Sequence, residues 1–569
     1  MTGKLFRFVM GICTLVILCL FWVGGSFAVP ADEIHDNANL RQRDLTGINL
    51  SEAHLNQSDL SYARLNQNDI SHAFLRSAWL IGSDLSYAKL VGADLSGADL
   101  SGANLTGADP RGAVFEGAKL TNAILVGARL EGANLTRANL GGSDMGRSDL
   151  SGTNLKGARM SGAKMIGSNL KNANLLDADL ARADLEGADL SGTVMRQAKL
   201  IGTSLIDANL TGADLREACL YGSDLSGADL SGAKLGDATI QNANLNEAKL
   251  KGADLTWARL NDSDLSGADL SRARLTDADL SGADMGGIYL IGATMLGTHM
   301  NWADMSGSFL HGGQFTRAEF YGTNLSHADL SDADLARASM MRSDMSGANL
   351  NDANLAYVDL TGANLRGAKL QRTKLPYVDL TDADLNDADL RGLNLGYNYL
   401  TGTQMRRANL RQANIFQVTF RNANLSGIDL REASISKSVM ENVNLSGVDM
   451  MEATVESDSF FKVDLRKASM KDVSAFDISL VDVNLSGADL RGARINDAKI
   501  ANANMTRADL SGAELNSVMM TGVDLNGANL KEIKCDKISL QSLSQAKLDG
   551  AIMSDDLLAS LETLRGKLP

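Results

Sequence analysis

Carboxylate and amide oxygens dominate the chemistry this sequence could do. Residues 92–110 read "GADLSGADLSGANLTGADP", with Asp or Asn returning every fifth residue and Ser or Thr often two positions later. Rows of such oxygens suit a hard cation such as calcium, which takes several carboxylate and carbonyl ligands. Other reactive groups are sparse. The histidines are His35, His54, His72, His299, His311 and His327. Cys13 and Cys19 lie in an N-terminal apolar run, leaving Cys219 and Cys535 far apart beyond it. That spacing provides no disulfide framework. There is no phosphate-cradling loop, no paired-cysteine motif and no Ser–His–Asp set suited to a regular scaffold. No catalytic residue, metal ligand or cofactor is assigned, and the reading points away from an enzyme.

What positions these groups is a period of five. A large apolar residue, mostly Leu, falls at every residue number divisible by five from Leu40 to Leu540, which is 101 positions without insertion or deletion. Pro110, Val455, Ala475 and Cys535 are the exceptions. Two residues earlier stands a small residue, as in Ala93, Ala98 and Ala103. Neither a 3.6-residue helix nor a 2-residue strand has this period. It fits a chain that takes a short extended step, turns a corner and repeats, with the large and small residues inward and the other three toward water. Each buried Leu contributes roughly 1.5–3 kcal/mol, but one such unit cannot stand alone and must stack.

The phrases "ADLSG", "ANLTG" and "ANLRG" resemble the pentapeptide-repeat family, pattern A(D/N)LXX, over residues 38–540. The resemblance implies an all-β solenoid: a right-handed quadrilateral parallel β-helix with four pentapeptides per coil, so that residues twenty apart stack. On that geometry the repeats make about 25 coils and a rod of roughly 120 Å at the inter-strand spacing. Pro110 would put a ring and no N–H at an inward site, so a local bulge is expected there. After Leu540 the inward positions move to Leu543, Leu548 and Met553, and Leu557, Leu561, Leu564 and Leu568 then recur at helical spacing. A short C-terminal α-helix capping the open coil edge is expected. At the other end "ADEIHDNAN" (31–39) is short and polar, and makes no convincing cap.

The first residues are of another kind. Lys4 and Arg7 precede the apolar run from Phe8 to Val23, and Ser26 and Ala28 stand at the −3 and −1 positions before Val29. This is the layout of a secretory signal. An uncleaved membrane anchor or tether through residues 8–28 is the alternative, because residues 8–31 carry no charge. Either way the remainder is exported: periplasmic, thylakoid-lumenal or secreted. The organisation is therefore 1–28 signal or anchor, 29–39 lead-in, 40–540 repeat, and 541–569 phase-shifted end with the capping helix.

Stacking at twenty residues turns the sequence into columns. One outward column runs Asp224, Asn244, Asp264, Asp284, Asp304 and on to Asp524. It reads either as a calcium ladder or as a solvated face in which Asn relieves repulsion between Asp neighbours. Arg391, Arg411 and Arg431 form a basic column that Asp389 and Asp429 can neutralise. His299, His311 and His327 fall on different faces, and Met285, Met295, Met300 and Met305 are core filler. The stretch 289–322 departs from the polar norm. Tyr289 and Phe309 share one outward column, while Trp302 and Tyr321 project from the opposite face with Gly282 and Gly322 around Trp302. These four residues are the candidate protein-binding girdle, since aromatics anchor interfaces.

Three function classes follow. The first is a non-enzymatic, exported scaffolding rod that binds proteins and is able to pair end to end with a second copy. The second, implied by the family resemblance, is an acidic DNA mimic that occupies topoisomerase, as in the quinolone-resistance branch. The third is a calcium-binding or cryptic enzymatic scaffold. Charge weighs against mimicry: the net charge is −15, or −17 without Lys4 and Arg7, whereas 120 Å of duplex carries about 70 charges. The same acidity disfavours nucleic acid as a partner.

Overall fold

The structure is a computed structural model that describes residues 29–565. The signal or anchor segment and Leu568 lie outside the described residues. The chain forms two compact units, Met1–Asp224 and Leu225–Pro569. Both use one construction, and the pentapeptide Leu100–Asn104 shows why five residues suffice. Leu100 N–H donates to Lys119 O (2.7 Å) and Gly102 N–H to Thr121 O (2.9 Å) in the next coil. Asn104 N–H donates to Ser83 O of the preceding coil (2.9 Å), and Ala103 N–H closes the corner on Leu100 O (3.0 Å). The fifth N–H, that of Ser101, donates to the Asp99 side chain (3.1 Å). Every backbone donor is satisfied, as burial of the ladder demands. Gly102 takes φ +67°, the left-handed value that the second central residue of such a corner requires.

Parallel bridges join residues twenty apart, from Asn39↔Asp59 to Ser204↔Asp224 in the first unit and from Asp229↔Lys249 to Asp509↔Asn529 in the second. The result is a parallel β-solenoid with four faces per coil. In the first unit Leu100, Leu105 and their counterparts, with Ala98 and Ala103 beside them, are fully buried in an apolar core, and the second unit has a core of the same kind. In the second unit Ala475 leaves a cavity of about 30 Å³, lined by apolar side chains that include Val455, Phe460, Ile478 and Ile495.

From residue 414 onward the coils change. Three-residue strands replace isolated bridges on two faces: Asn414–Phe416 begins a seven-stranded parallel sheet and Thr419–Arg421 a six-stranded one. At the corners entering and leaving the second sheet, the N–H of the small inward residue no longer closes on the carbonyl three residues back. Val418 N–H donates instead to Ser438 Oγ (3.2 Å), and Ser438 N–H to Asp458 Oδ1 (2.5 Å).

The expected bulge at Pro110 is absent. Its ring is buried, its carbonyl still closes the corner with Ala113 N–H (3.0 Å), and Arg129 N–H still reaches Ala108 O (2.9 Å). Only the one upward bond that an N–H at position 110 would make is lost, because the proline ring sits where the repeat already wants an apolar group.

The C-terminal end also differs from the sequence reading, which carried the repeat to Leu540. Helix α1, Lys537–Leu543, begins before that, with the Asp536 side chain capping Ser539 N–H (2.8 Å). Leu540 N–H is consequently an intrahelical donor to Asp536 O rather than a rung of the ladder. The helix inserts three residues into the coil, so pairing resumes at a spacing of twenty-three in Asp524↔Lys547, Asn529↔Ile552 and Leu530↔Met553. Helix α2, Asp555–Arg565, buries Leu557 and Leu561, and Arg565 ties it down through Ser544 O (2.9 Å) and Ala546 O (2.8 Å). At the other end residues 29–39 do pack on the first coil. Val29 and Ala38 are buried, Asn37 N–H donates to Asn56 O (2.8 Å), and Ser58 Oγ donates to His35 O (3.1 Å).

Candidate functional site

The columns of acidic and amide side chains are largely consumed by the fold. The Asp or Asn before each corner accepts the N–H two residues on, as Asp264 does from Ser266 (2.9 Å) and Asn424 from Ser426 (3.2 Å). Asn side chains also donate down the column to the Asp twenty residues earlier, as Asn324 does to Asp304 and Asn364 to Asp344, both at 2.9 Å. The described residues hold no group of three or more His, Cys, Asp or Glu placed to bind a metal ion. The basic column is neutralised in place: Arg391 grips Asp389 through two nitrogens (2.8 and 2.7 Å), Arg431 grips Asp429 likewise, and Arg411 reaches Glu432. These contacts hold the Asp389 and Asp429 carboxyls below the usual range, chiefly through the arginine hydrogen bonds.

The histidines do not converge. His299 pairs with Glu319 (2.9 Å), His311 lies near Ser331 and Asp332, and the His327 ring rests against Gly347. Met285, Met295, Met300 and Met305 are fully buried. Cys219 and Cys535 are free thiols, and burial pushes the Cys535 thiol up to about 11.

The four aromatic candidates form two pairs. Tyr289 and Phe309 stack face to face, with centroids 4.8 Å apart and ring planes 7° apart, on the middle of one face. Trp302 meets Tyr321 edge-on at 5.2 Å and 79°. Trp302 occupies a left-handed corner position (φ +63°), on the rim of the face opposite Tyr289. The corner points its ring along the stack onto Gly322, where a Cβ would fall 2.6 Å from ring carbons. Trp302 is 66% exposed, the highest value among the exposed large apolar side chains described. Arg342 donates to Tyr321 Oη (3.1 Å) and fixes the second ring.

A second aromatic row was missed. Tyr357, Tyr377 and Tyr397 occupy one corner column, stacked at 5.2 and 5.5 Å, and Tyr397 meets Phe416 edge-on at 5.4 Å. Arg337 lies over Tyr357 at one end and Lys437 over Phe416 at the other. Their twenty-residue spacing is in the sequence and would have revealed three of the four.

The sequence profile of pentapeptide repeats (8 copies) matches this chain in overlapping segments from residue 36 to 392, and again over 413–450 and 468–531. The chain belongs to the pentapeptide-repeat family. Residues 393–412 and 451–467 fall outside the matches. Among solved structures, the chain is similar to HetL, a pentapeptide repeat protein involved in heterocyst differentiation regulation from the cyanobacterium Nostoc sp. strain PCC 7120. The identity is 30% over 41% of this chain and 90% of that one, with a TM-score of 0.18. It is also similar to QnrB1, a plasmid-mediated fluoroquinolone resistance protein, at 15% identity over 36% of this chain and 98% of that one, TM-score 0.22. A pentapeptide repeat protein from the Arabidopsis thaliana thylakoid lumen shares 25% identity over 22% of this chain and 69% of that one, TM-score 0.09. No curated protein sequence matches the chain.

Proposed function

We propose that this pentapeptide-repeat protein is a non-enzymatic scaffold that binds other proteins along its faces, and that the segment preceding Val29 exports it to a periplasmic, thylakoid-lumenal or extracellular compartment. The observation that carries the reading is a division of labour. Asp, Asn, Ser and Thr at the repeat's outward positions are spent on corners and columns, whereas Tyr289, Phe309 and Trp302 remain exposed, with Tyr321 half-buried beside Trp302, all outside the core. Exposed aromatic pairs held rigid by stacking anchor interfaces at little entropic cost. No helix among the described residues is long and apolar enough to cross a membrane.

The test is recovery of partners from the native exported fraction with wild type, Tyr289→Ser/Phe309→Ser and Trp302→Ser/Tyr321→Ser. Loss of a true anchor costs about 2 kcal/mol or more, roughly thirtyfold in affinity. Thermal melting should stay within about 0.5 kcal/mol of wild type, as for other surface substitutions. Equal recovery by all three proteins would remove the girdle from the reading.

A further inference from the structure

One outward column mixes charges of both signs in each unit. In the first unit its successive rungs are Asp99, Lys119, Asn139, Arg159, Asp179 and Lys199, each bridged to the next. In the second unit the counterpart column runs Arg259, Asp279, His299, Glu319, Ser339 and Asp359, bridged likewise. The stretches that carry them differ in sign. Residues 111–171 hold nine Lys and Arg against four Asp and Glu, and residues 277–359 hold eleven Asp and Glu against three Arg. Lys119, Arg159, Lys199 and Arg259 are all exposed. Lys119 reaches Asp99 at 3.4 Å, while Arg159, Lys199 and Arg259 have no ion-pair partner among the described residues.

Laid face to face and in the same direction, the two columns match rung for rung. Asp99 meets Arg259, Lys119 meets Asp279, Arg159 meets Glu319 and Lys199 meets Asp359, while Asn139 faces His299 and Asp179 faces Ser339. Complementary charges fix the register of a contact, and like charges penalise the wrong one. A slip of one coil sets Lys119 against Arg259 and Asp179 against Glu319; the opposite slip sets Asp99 against Asp279 and Asp179 against Asp359. The rims choose the direction. In a parallel pair the corner entering one face lies against the corner leaving the other. That puts Arg137 on the rung of Trp302, whose exposed ring suits a guanidinium, and Asp177 on the rung of Arg342. One like pair results on the other rim, Arg182 with Arg337, and Arg337 is drawn over Tyr357. We infer that this face of the first unit docks on the counterpart face of the second unit of another copy, side by side rather than end to end. Six rungs at about 4.8 Å make a short contact, of the small class that forms weak and transient complexes.

The experiment is sedimentation equilibrium of the full chain at low and at physiological salt, in nonionic detergent so that residues 8–23 do not drive association. The expected result is reversible self-association that salt weakens and that falls roughly tenfold or more in affinity for Arg159→Glu and for Glu319→Arg. The double variant Arg159→Glu/Glu319→Arg rebuilds the rung with its signs exchanged and should restore association, as should an equimolar mixture of the two single variants. Both side chains lie outside the core, so melting should match wild type. A wild-type chain that stays monomeric at about 200 μM in low salt, single variants that associate like wild type, or an exchange that restores nothing while melting is unchanged would each overturn the assignment. So would rescue of Arg159→Glu by Asp279→Arg, the partner that an antiparallel contact would give it. The exchanges leave Tyr289, Phe309, Trp302 and Tyr321 in place, so loss of self-association is read separately from loss of other partners.

Discussion

The coils before residue 410 and those from 414 to 521 have the same kind of apolar interior and the same twenty-residue register but close their corners differently. In the earlier coils the small inward residue is nearly always Ala, Ser or Thr, and its N–H folds back on the carbonyl three residues earlier, as Ala278 does on Leu275 (3.0 Å). In the later coils the same position on two corners is often larger, with Val418, Ile478 and Val518 in one column and Val443, Val463, Val483 and Val523 in the next. β-branched side chains favour extended backbone. The corner relaxes, the strands lengthen to three residues, and the freed N–H must find another acceptor. Two serines and one aspartate supply it: Ser438 for Val418, Asp458 for Ser438, and Ser539 for Val518. These open corners thus trade turn bonds for strand bonds, and a polar side chain of the next coil takes up an N–H that a closed corner satisfies within the turn.

The largest test of this contrast is Asp458. Its side chain is 3% exposed, Oδ1 takes the Ser438 N–H, and Oδ2 has no partner. Burial pushes its pKa up to about 7, with the neighbouring Glu456 adding to the rise. Because the folded-state pKa lies above the unfolded one, its contribution is complete below about pH 4 and is lost as pH climbs to about 7. The loss approaches 4 kcal/mol by linkage. Asp458→Ala, which installs the residue typical of closed corners, should raise stability at pH 8 and flatten the decline between pH 4 and 7 in denaturant unfolding. A decline of equal slope in the variant would show that the open corner tolerates a buried carboxylate ion.

Ala475 gives a smaller test. The cavity beside it lies within the open-cornered coils, and Ala475→Val should stabilise by about 1 kcal/mol if those coils are merely underfilled. A drop in melting temperature would mean that the strands there are already in contact around the gap and the new methyls overpack it.

The smallest effect concerns what the regions hold in common. Asp264 and Asn484 stand in one column, and each accepts the N–H two residues on, from Ser266 (2.9 Å) and Ser486 (3.1 Å). Removing either side chain to Ala leaves that N–H without its acceptor and should cost about 1 kcal/mol, equally in the two regions. A difference well beyond that figure would show that the corners of the later coils are weakened even where they remain closed.

Much of this protein was written in its residue order. The period of five, the inward Leu and Ala, and the Asp or Asn before each corner all express contacts within a few residues, such as Asp99 to Ser101. Reading along the chain was enough to find them, and the family resemblance supplied the twenty-residue stack. The Tyr289/Phe309 and Trp302/Tyr321 pairs were legible once that stack was assumed, although the corner carrying Trp302 was not. What tertiary structure alone decided are the events that depend on neighbours one coil away. Pro110 passes without a bulge because the adjoining bonds survive around it. Asp536 ends the repeat because its side chain reaches Ser539 and starts α1. Lys119, Arg159 and Lys199 become one face only when successive coils set them side by side, since residues so far apart in sequence share no local signal. At the open corners after 414 the N–H groups of Val418, Ser438 and Val518 meet a hydroxyl or carboxylate from the next coil, a match that no single pentapeptide contains.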